Sequence, residues 1–184
     1  MGGKIRFNVA KFGAKVASQV SKFGFGSGNN LPGYVFYKIA GKEALKDLAH
    51  EMSIGPILIT GTNGKTTTTT LLIKLLSADT KIRKSFESNI IHAITTGILK
   101  GDGDLGVFEY GIRNKSYGIP DTVQRLIDPV GVVYTTISRE HSQVAGVKNP
   151  FEEYVDAKSL LSQGMTRGVV ISNADDPVTA NIAC

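Results

Sequence analysis

The segment Gly61-Thr62-Asn63-Gly64-Lys65-Thr66-Thr67 restricts the possible folds of this chain more than any other stretch. It lies between a short apolar run, Pro56 to Thr60, and a helix-like stretch, Thr66 to Leu76. Glycines at a strand-to-helix turn let the main chain fold back, so that its N–H groups and the positive end of the helix dipole point at phosphate oxygens. In that arrangement Lys65 would neutralise the β and γ phosphates of a nucleotide, and the Thr66 hydroxyl would ligate Mg²⁺. A full phosphate-loop pattern places glycine at position 59, where this chain has Ile59. The loop is therefore a shortened one, and the flanking strand and helix carry the reading.

Downstream, strand and helix signals alternate. Leu105 to Phe108, Val130 to Ile137 and Gly168 to Ser172 are rich in Val and Ile and lack in/out alternation, which predicts strands buried on both faces. Helix-like stretches at Ile90 to Leu99, Thr122 to Ile127 and Phe151 to Met165 separate them. The pattern predicts an α/β fold: a mainly parallel sheet flanked by helices, like a P-loop nucleotide-binding domain, over residues 54–184. Residues 1–53 form a short N-terminal region, with a loosely amphipathic helix from Lys4 to Phe23 and a loop from Gly24 to Gly33.

With 184 residues, 41% hydrophobic and 20% charged, the composition is that of an ordinary globular protein. A chain of this size buries roughly 70% of its unfolded surface, so its core needs neither a disulfide nor a structural metal. The lone Cys184 fits a reducing, cytoplasmic setting. The longest apolar stretches fall far short of the roughly 20 residues that span a bilayer. The net charge of +5 is local: Lys4, Arg6, Lys11, Lys15 and Lys22 supply five of the 21 basic residues, and the other 16 balance 16 acids. That distribution argues against a nucleic-acid groove. For the N-terminal helix it leaves two readings, a packing helix or a peripheral contact with an anionic membrane surface or partner.

Ligands of an open parallel sheet gather at the carboxyl ends of its strands. One predicted strand ends at Glu109, and another runs into Ser138-Arg139-Glu140-His141. A carboxylate and an imidazole would thus share the edge that carries Lys65, and Glu109 suits a hard cation that bridges phosphates.

Together these motifs resemble the Mur ligases, ATP-dependent amide-bond-forming enzymes of cell-wall peptide synthesis. Residues 61–67 look like their nucleotide loop, Glu109 like their Mg²⁺ glutamate, and Ser138 to His141 like their metal-histidine segment. Tyr154-Val155-Asp156-Ala157-Lys158 is similar to the helix whose lysine is carbamylated, and Asn173-Ala174-Asp175-Asp176-Pro177 to a strand-end turn that meets the nucleotide. Ser88-Asn89 resembles the segment that approaches substrate and metal. The segment Gly28 to Gly33 with the nearby nucleotide loop looks like two branches, the archaeal pseudomurein peptide ligases and the MurT-type ligases that work with a glutaminase partner. Overall likeness favours the archaeal branch.

The resemblance implies ATP and Mg²⁺ as cofactors and a nucleotide-activated peptide precursor and an amino acid as substrates. ATP would phosphorylate a carboxylate, and an amine would attack the acyl phosphate to give an amide, ADP and phosphate. ATP contacts would come from Gly61, Thr62, Asn63, Gly64, Lys65, Thr66, Thr67 and Asn173. Metal contacts would come from Thr66, Glu109, His141 and Lys158, the last as an anionic carbamate. Without the resemblance, Lys158 reads as a solvated helical lysine paired with Glu152 or Glu153. Compared with the family, the chain looks truncated: it stops just after Pro177, before the rest of the central sheet and a carboxyl-terminal domain. A nucleotide-binding module without ligase chemistry is the reading from another class.

Overall fold

Main-chain pairing explains why the apolar runs sit where they do. The computed structural model describes residues 2–21, 30–140, 142 and 148–183. Among these, β1 (Gly55–Thr60), β2 (Ile82–Ser88), β3 (Leu105–Tyr110), β4 (Gly131–Tyr134) and β5 (Val169–Ser172) form one sheet, in the order β2-β3-β1-β4-β5. Every pairing is parallel. The centre is β1, where Ile59 faces Glu109 on one neighbour and Thr60 faces Tyr134 on the other. Adjacent strands thus bring the phosphate loop, Glu109 and the segment after β4 to the same edge.

Helices cover both faces. On one side α4 (Lys65–Leu76) lays Leu72, Ile73 and Leu76 over Ile59, Leu105 and Val107. The opposite side holds the larger core, where α5 (Ile91–Lys100), α7 (Pro120–Ile127) and α8 (Pro150–Gln163) pack on Leu58, Phe108 and Val132. The short α6 (Lys115–Gly118) precedes α7, and α9 (Pro177–Ala183) follows β5. The N-terminal helices α1 (Gly2–Ser21), α2 (Leu31–Ala40) and α3 (Ala44–Ala49) join this same core through Ala10, Ala14, Phe36, Leu45 and Leu48. Among the described residues, side chains from both sides of residue 53 share this one core.

Four strand expectations meet their strands, with one shortening: β4 stops at Tyr134, and residues 135–137 continue as a loop bonded to the phosphate loop. Burial on both faces holds for β3, whose six residues are all buried, but not for β5, where Val169 and Ile171 are exposed at the sheet edge. The sequence reading passed over β2. Its segment Ile-Arg-Lys-Ser-Phe-Glu-Ser is too polar to look like a strand, yet Arg83 is buried because its guanidinium donates to the carbonyls of Ile98 and Gly103. The loop expected over Gly24 to Gly33 needs correction at its end, since Leu31, Pro32 and Gly33 open α2; residues 24–29 lie outside the described residues. Pro32 suits a first helical turn, where no N–H is needed. Gly33 is a packing glycine: its N–H donates to the Thr96 hydroxyl, and a Cβ there would meet the His92 carbonyl oxygen at 2.0 Å.

Candidate nucleotide and metal site

The phosphate loop is held open by its backbone. Gly61 (φ +151°) and Gly64 (φ +83°) adopt conformations that side chains resist, and a Cβ on Gly61 would lie 2.0 Å from the Thr135 hydroxyl oxygen. Gly64 is the N-cap of α4, and no side chain caps the helix. The first-turn N–H groups therefore have no side-chain acceptor and face outward with the positive end of the dipole, as an anion site requires. The loop is tied to the strand beside it. Thr135 donates to the Asn63 carbonyl at 2.6 Å, Ser138 N–H donates to the Thr62 hydroxyl at 3.0 Å, and Asn63 donates to Glu140 at 2.9 Å.

Lys65 is half-buried and donates to the Thr62 carbonyl at 2.8 Å. Burial pushes its pKa below the usual lysine value, while the negative charge of Glu109 pulls it back up. Glu109 is buried at the end of β3 and accepts a hydrogen bond from the Thr66 hydroxyl at 2.9 Å. These are two hard oxygen donors at one point on the strand edge. They fit a Mg²⁺ ion that takes few ligands from protein and the rest from phosphate and water. Among the described residues no cluster of three acidic, histidine or cysteine side chains forms a preassembled cage. His141 lies outside the described residues. The chain leading to it is fixed, however, with Arg139 stacked over the Phe151 ring at 4.9 Å.

Lys158 overturns the solvated-lysine reading. It is fully buried, and its ammonium donates to the carbonyls of Ile112 (3.0 Å) and Gly61 (3.3 Å) and to the Thr60 hydroxyl (3.5 Å). It also lies 4.4 Å from the Tyr154 ring centroid. Glu153, the partner expected from helical spacing, turns instead to Lys115 at 3.7 Å. Burial, and then the positive charge of Lys65, lower the Lys158 pKa to about 7.

Two clefts flank the loop. One, of about 260 Å³, gathers Lys65, Glu109 and Lys158 with Glu87, Arg113 and Tyr154. The other, of about 530 Å³, lies beyond Asn63 and Gly64 and is lined by Thr68, Tyr134, Ile171 and Asn173. Thr67 is exposed on the first turn of α4. Asn89 lines the first cleft, whereas the neighbouring Ser88 is buried and donates to Ser85 at 2.8 Å. Asp176 joins the strand-end turn to the site, accepting from Ile137 N–H at 2.6 Å and from Val178 N–H at the start of α9. The sequence reading missed Glu87 and Arg113 as cleft residues. Arg113 could have been found four positions past Glu109 on the same strand edge, but Glu87 depended on recognising β2.

The chain is similar to known proteins over most of its length. The family model described as the Mur ligase middle domain matches residues 59–183. UDP-N-acetylmuramoyl-tripeptide--D-alanyl-D-alanine ligase from Bacillus subtilis (strain 168) is 30% identical over 146 residues, covering 75% of this chain and 31% of that protein. MurF ligase from Thermotoga maritima, solved in complex with ADP, superposes with a TM-score of 0.61 at 17% identity, over 77% of this chain and 34% of that one. A pseudomurein peptide ligase type C from Methanothermus fervidus gives a TM-score of 0.56 at 27% identity, over 71% of this chain and 25% of that one. The chain thus spans between a quarter and about a third of the length of these relatives. Among the described residues no helix is long and apolar enough to cross a membrane. With a family model matched over more than half of its length, the chain belongs to the Mur ligases through their middle domain.

Proposed function

We propose that this chain is the ATP-binding part of an ATP-dependent peptide ligase of cell-wall synthesis, which joins an amino acid to a nucleotide-linked peptide precursor. The observation that carries this reading is the convergence of an uncapped helix start, Lys65, the Thr66–Glu109 pair and buried Lys158 around one loop. The nucleoside would lie in the cleft with Asn173, its phosphates would cross the N–H groups of residues 61–67, and the γ-phosphoryl group would enter the cleft with Glu109.

Lys65 opposes the charge that grows on the γ-phosphoryl oxygens as that group moves to the substrate carboxylate. Thr66 and Glu109 would hold Mg²⁺, which supplies charge neutralisation between triphosphate and carboxylate. Arg113, in the same cleft, is placed to hold the carboxylate substrate. With its pKa lowered to about 7, Lys158 reaches the neutral amine form near neutral pH, where an ordinary lysine stays charged. A neutral amine can add to CO₂, forming an N–C bond and releasing a proton, and the resulting carbamate would be a further oxygen ligand. Likeness to the Methanothermus fervidus ligase supports pseudomurein as the polymer being built.

The test is nucleotide binding by calorimetry. Lys65→Ala abolishes ATP binding, whereas Lys158→Ala retains it and, in the complete ligase, loses turnover measured as ADP release. Equal ATP affinity in the Lys65 variant and the parent overturns the assignment. Substituting glutamine and a glutaminase subunit for the amino acid in the turnover assay separates the amidating reading from the peptide-forming one.

A further inference from the structure

Helix α1 carries two apolar faces, and among the described residues only one of them is packed. Ala10, Ala14 and Ala17 are buried, and Phe7 packs edge-to-face on Phe36 of α2 at 5.6 Å. On the other side Ile5 (62%), Val9 (52%), Phe12 (70%), Val16 (46%) and Val20 (45%) stand exposed. Their spacing of three and four residues places all of them within about 80° of arc on a 3.6-residue helix. Scattered exposed apolar residues need no explanation, but a continuous stripe along the length of a 20-residue helix does.

The charges beside the stripe say what it fits. Lys4, Lys11 and Lys15 line one flank, Arg6 lies on the other, and the sequence contains no acid before Glu43. A protein partner with an ordinary mixed surface would not require such one-sided charge. A groove of about 690 Å³ runs beside the stripe, between α1, the start of α2 and the end of α5. It is lined by Lys11, Phe12, Lys15, Gln19, Leu99 and Lys100; with Lys11 engaged by Glu51, Lys15 is the flank lysine that brings charge to its apolar surface. Lysines at the border of an apolar stripe bury their stems and hold their charges at the level of phosphates. Arg6 donates to the Ile39 carbonyl and Lys11 pairs with Glu51 at 2.7 Å, so the helix is fastened to the body with its stripe outward.

We propose that the outward stripe of α1, with its flanking lysines, docks the protein on the surface of an anionic phospholipid bilayer, the groove receiving lipid headgroup phosphates. The helix lies in the interface plane and does not span it. The inference is independent of the ligase chemistry, because none of its residues lines either cleft at the phosphate loop.

The experiment is co-sedimentation of the full chain with unilamellar vesicles, either of phosphatidylcholine alone or of equal parts phosphatidylcholine and phosphatidylglycerol. The parent sediments with the anionic vesicles, much less with neutral ones, and high salt releases it. The double variant Phe12→Ser with Val16→Ser removes exposed side chains only, and lowers the partition coefficient at least about tenfold with an unchanged circular dichroism spectrum. Lys4→Gln with Lys15→Gln abolishes the preference for anionic over neutral vesicles. The proposal is overturned if the parent stays in the supernatant, if it sediments equally with both vesicle types, or if the serine variant sediments like the parent. It is also overturned if light scattering shows a concentration-dependent dimer that the serine substitutions dissolve while vesicle binding is absent.

Discussion

Replacing Lys158 with methionine tests whether this buried ammonium is a strained charge. Its pKa is lowered from 10.5 to about 7, and among the described residues no ion pair offsets its burial. Between those two values the unfolded chain holds a proton on Lys158 that the folded chain has released. Stability from this residue therefore rises with pH through that window and is lowest below it. At 1.36 kcal/mol per pH unit the full displacement corresponds to on the order of 5 kcal/mol, of which roughly half is relieved between pH 6 and pH 9. Methionine removes that dependence but leaves the Ile112 and Gly61 carbonyls and the Thr60 hydroxyl without their donor, a cost of about 1–3 kcal/mol that pH does not change. Urea unfolding followed by circular dichroism in CO₂-free buffers then shows the parent gaining a few kcal/mol, roughly half of that total, on the Lys158→Met variant from pH 6 to pH 9. A difference that stays constant across that range refutes the reasoning. Adding bicarbonate extends the test: carbamate formation stabilises the folded parent and leaves the methionine variant unmoved.

Two other substitutions probe the loop and its neighbour. Gly61→Ala forces a Cβ to 2.0 Å from the Thr135 hydroxyl oxygen and 2.8 Å from the Thr136 carbonyl oxygen at a positive φ, and its expected cost of about 3 kcal/mol is read from urea midpoints together with loss of ATP binding. Glu109→Gln keeps the shape and the Thr66 hydrogen bond but removes the charge. ATP affinity in EDTA should hold or improve, while the gain in affinity on adding Mg²⁺ shrinks about tenfold in calorimetric titrations.

Legibility in the sequence followed burial. Strands β1, β3 and β4 announced themselves because hydrophobic residues on both faces leave no polar alternation, and the turns at Gly61 and Gly64 because the chain can reverse there only without side chains. The polar β2 stayed hidden because Arg83 satisfies its charge on carbonyls that a linear reading cannot bring together. Helix α2 was hidden by the opposite error, since Gly33 reads as a loop residue while serving as a contact with α5. The loop motif and a strand end pointed to Lys65 and Glu109, and the family resemblance to Lys158, which without it was paired with acids five and six residues earlier on the helix. In the fold, α8 turns Lys158 inward and leaves Glu153 and Asp156 to Lys115.

That inward turn links the fold to the chemistry. A lysine loses its proton near neutrality where water is excluded, and a second positive charge nearby adds to that effect. Here the exclusion comes from the core under β1 and the added charge from Lys65 on the loop that β1 delivers. The Tyr134 hydroxyl donates to the Lys158 carbonyl at 2.9 Å and meets the Ser162 hydroxyl at 2.9 Å, so the helix segment bearing the amine is bolted to β4. One sheet edge thus fixes both lysines, and any change that moves the phosphate loop also moves the charge that adds to burial in lowering the Lys158 pKa. Nucleotide binding should accordingly act on Lys158: phosphate charge that screens Lys65 would raise the pKa of the buried amine, coupling occupancy of the loop to the protonation state of the residue behind it.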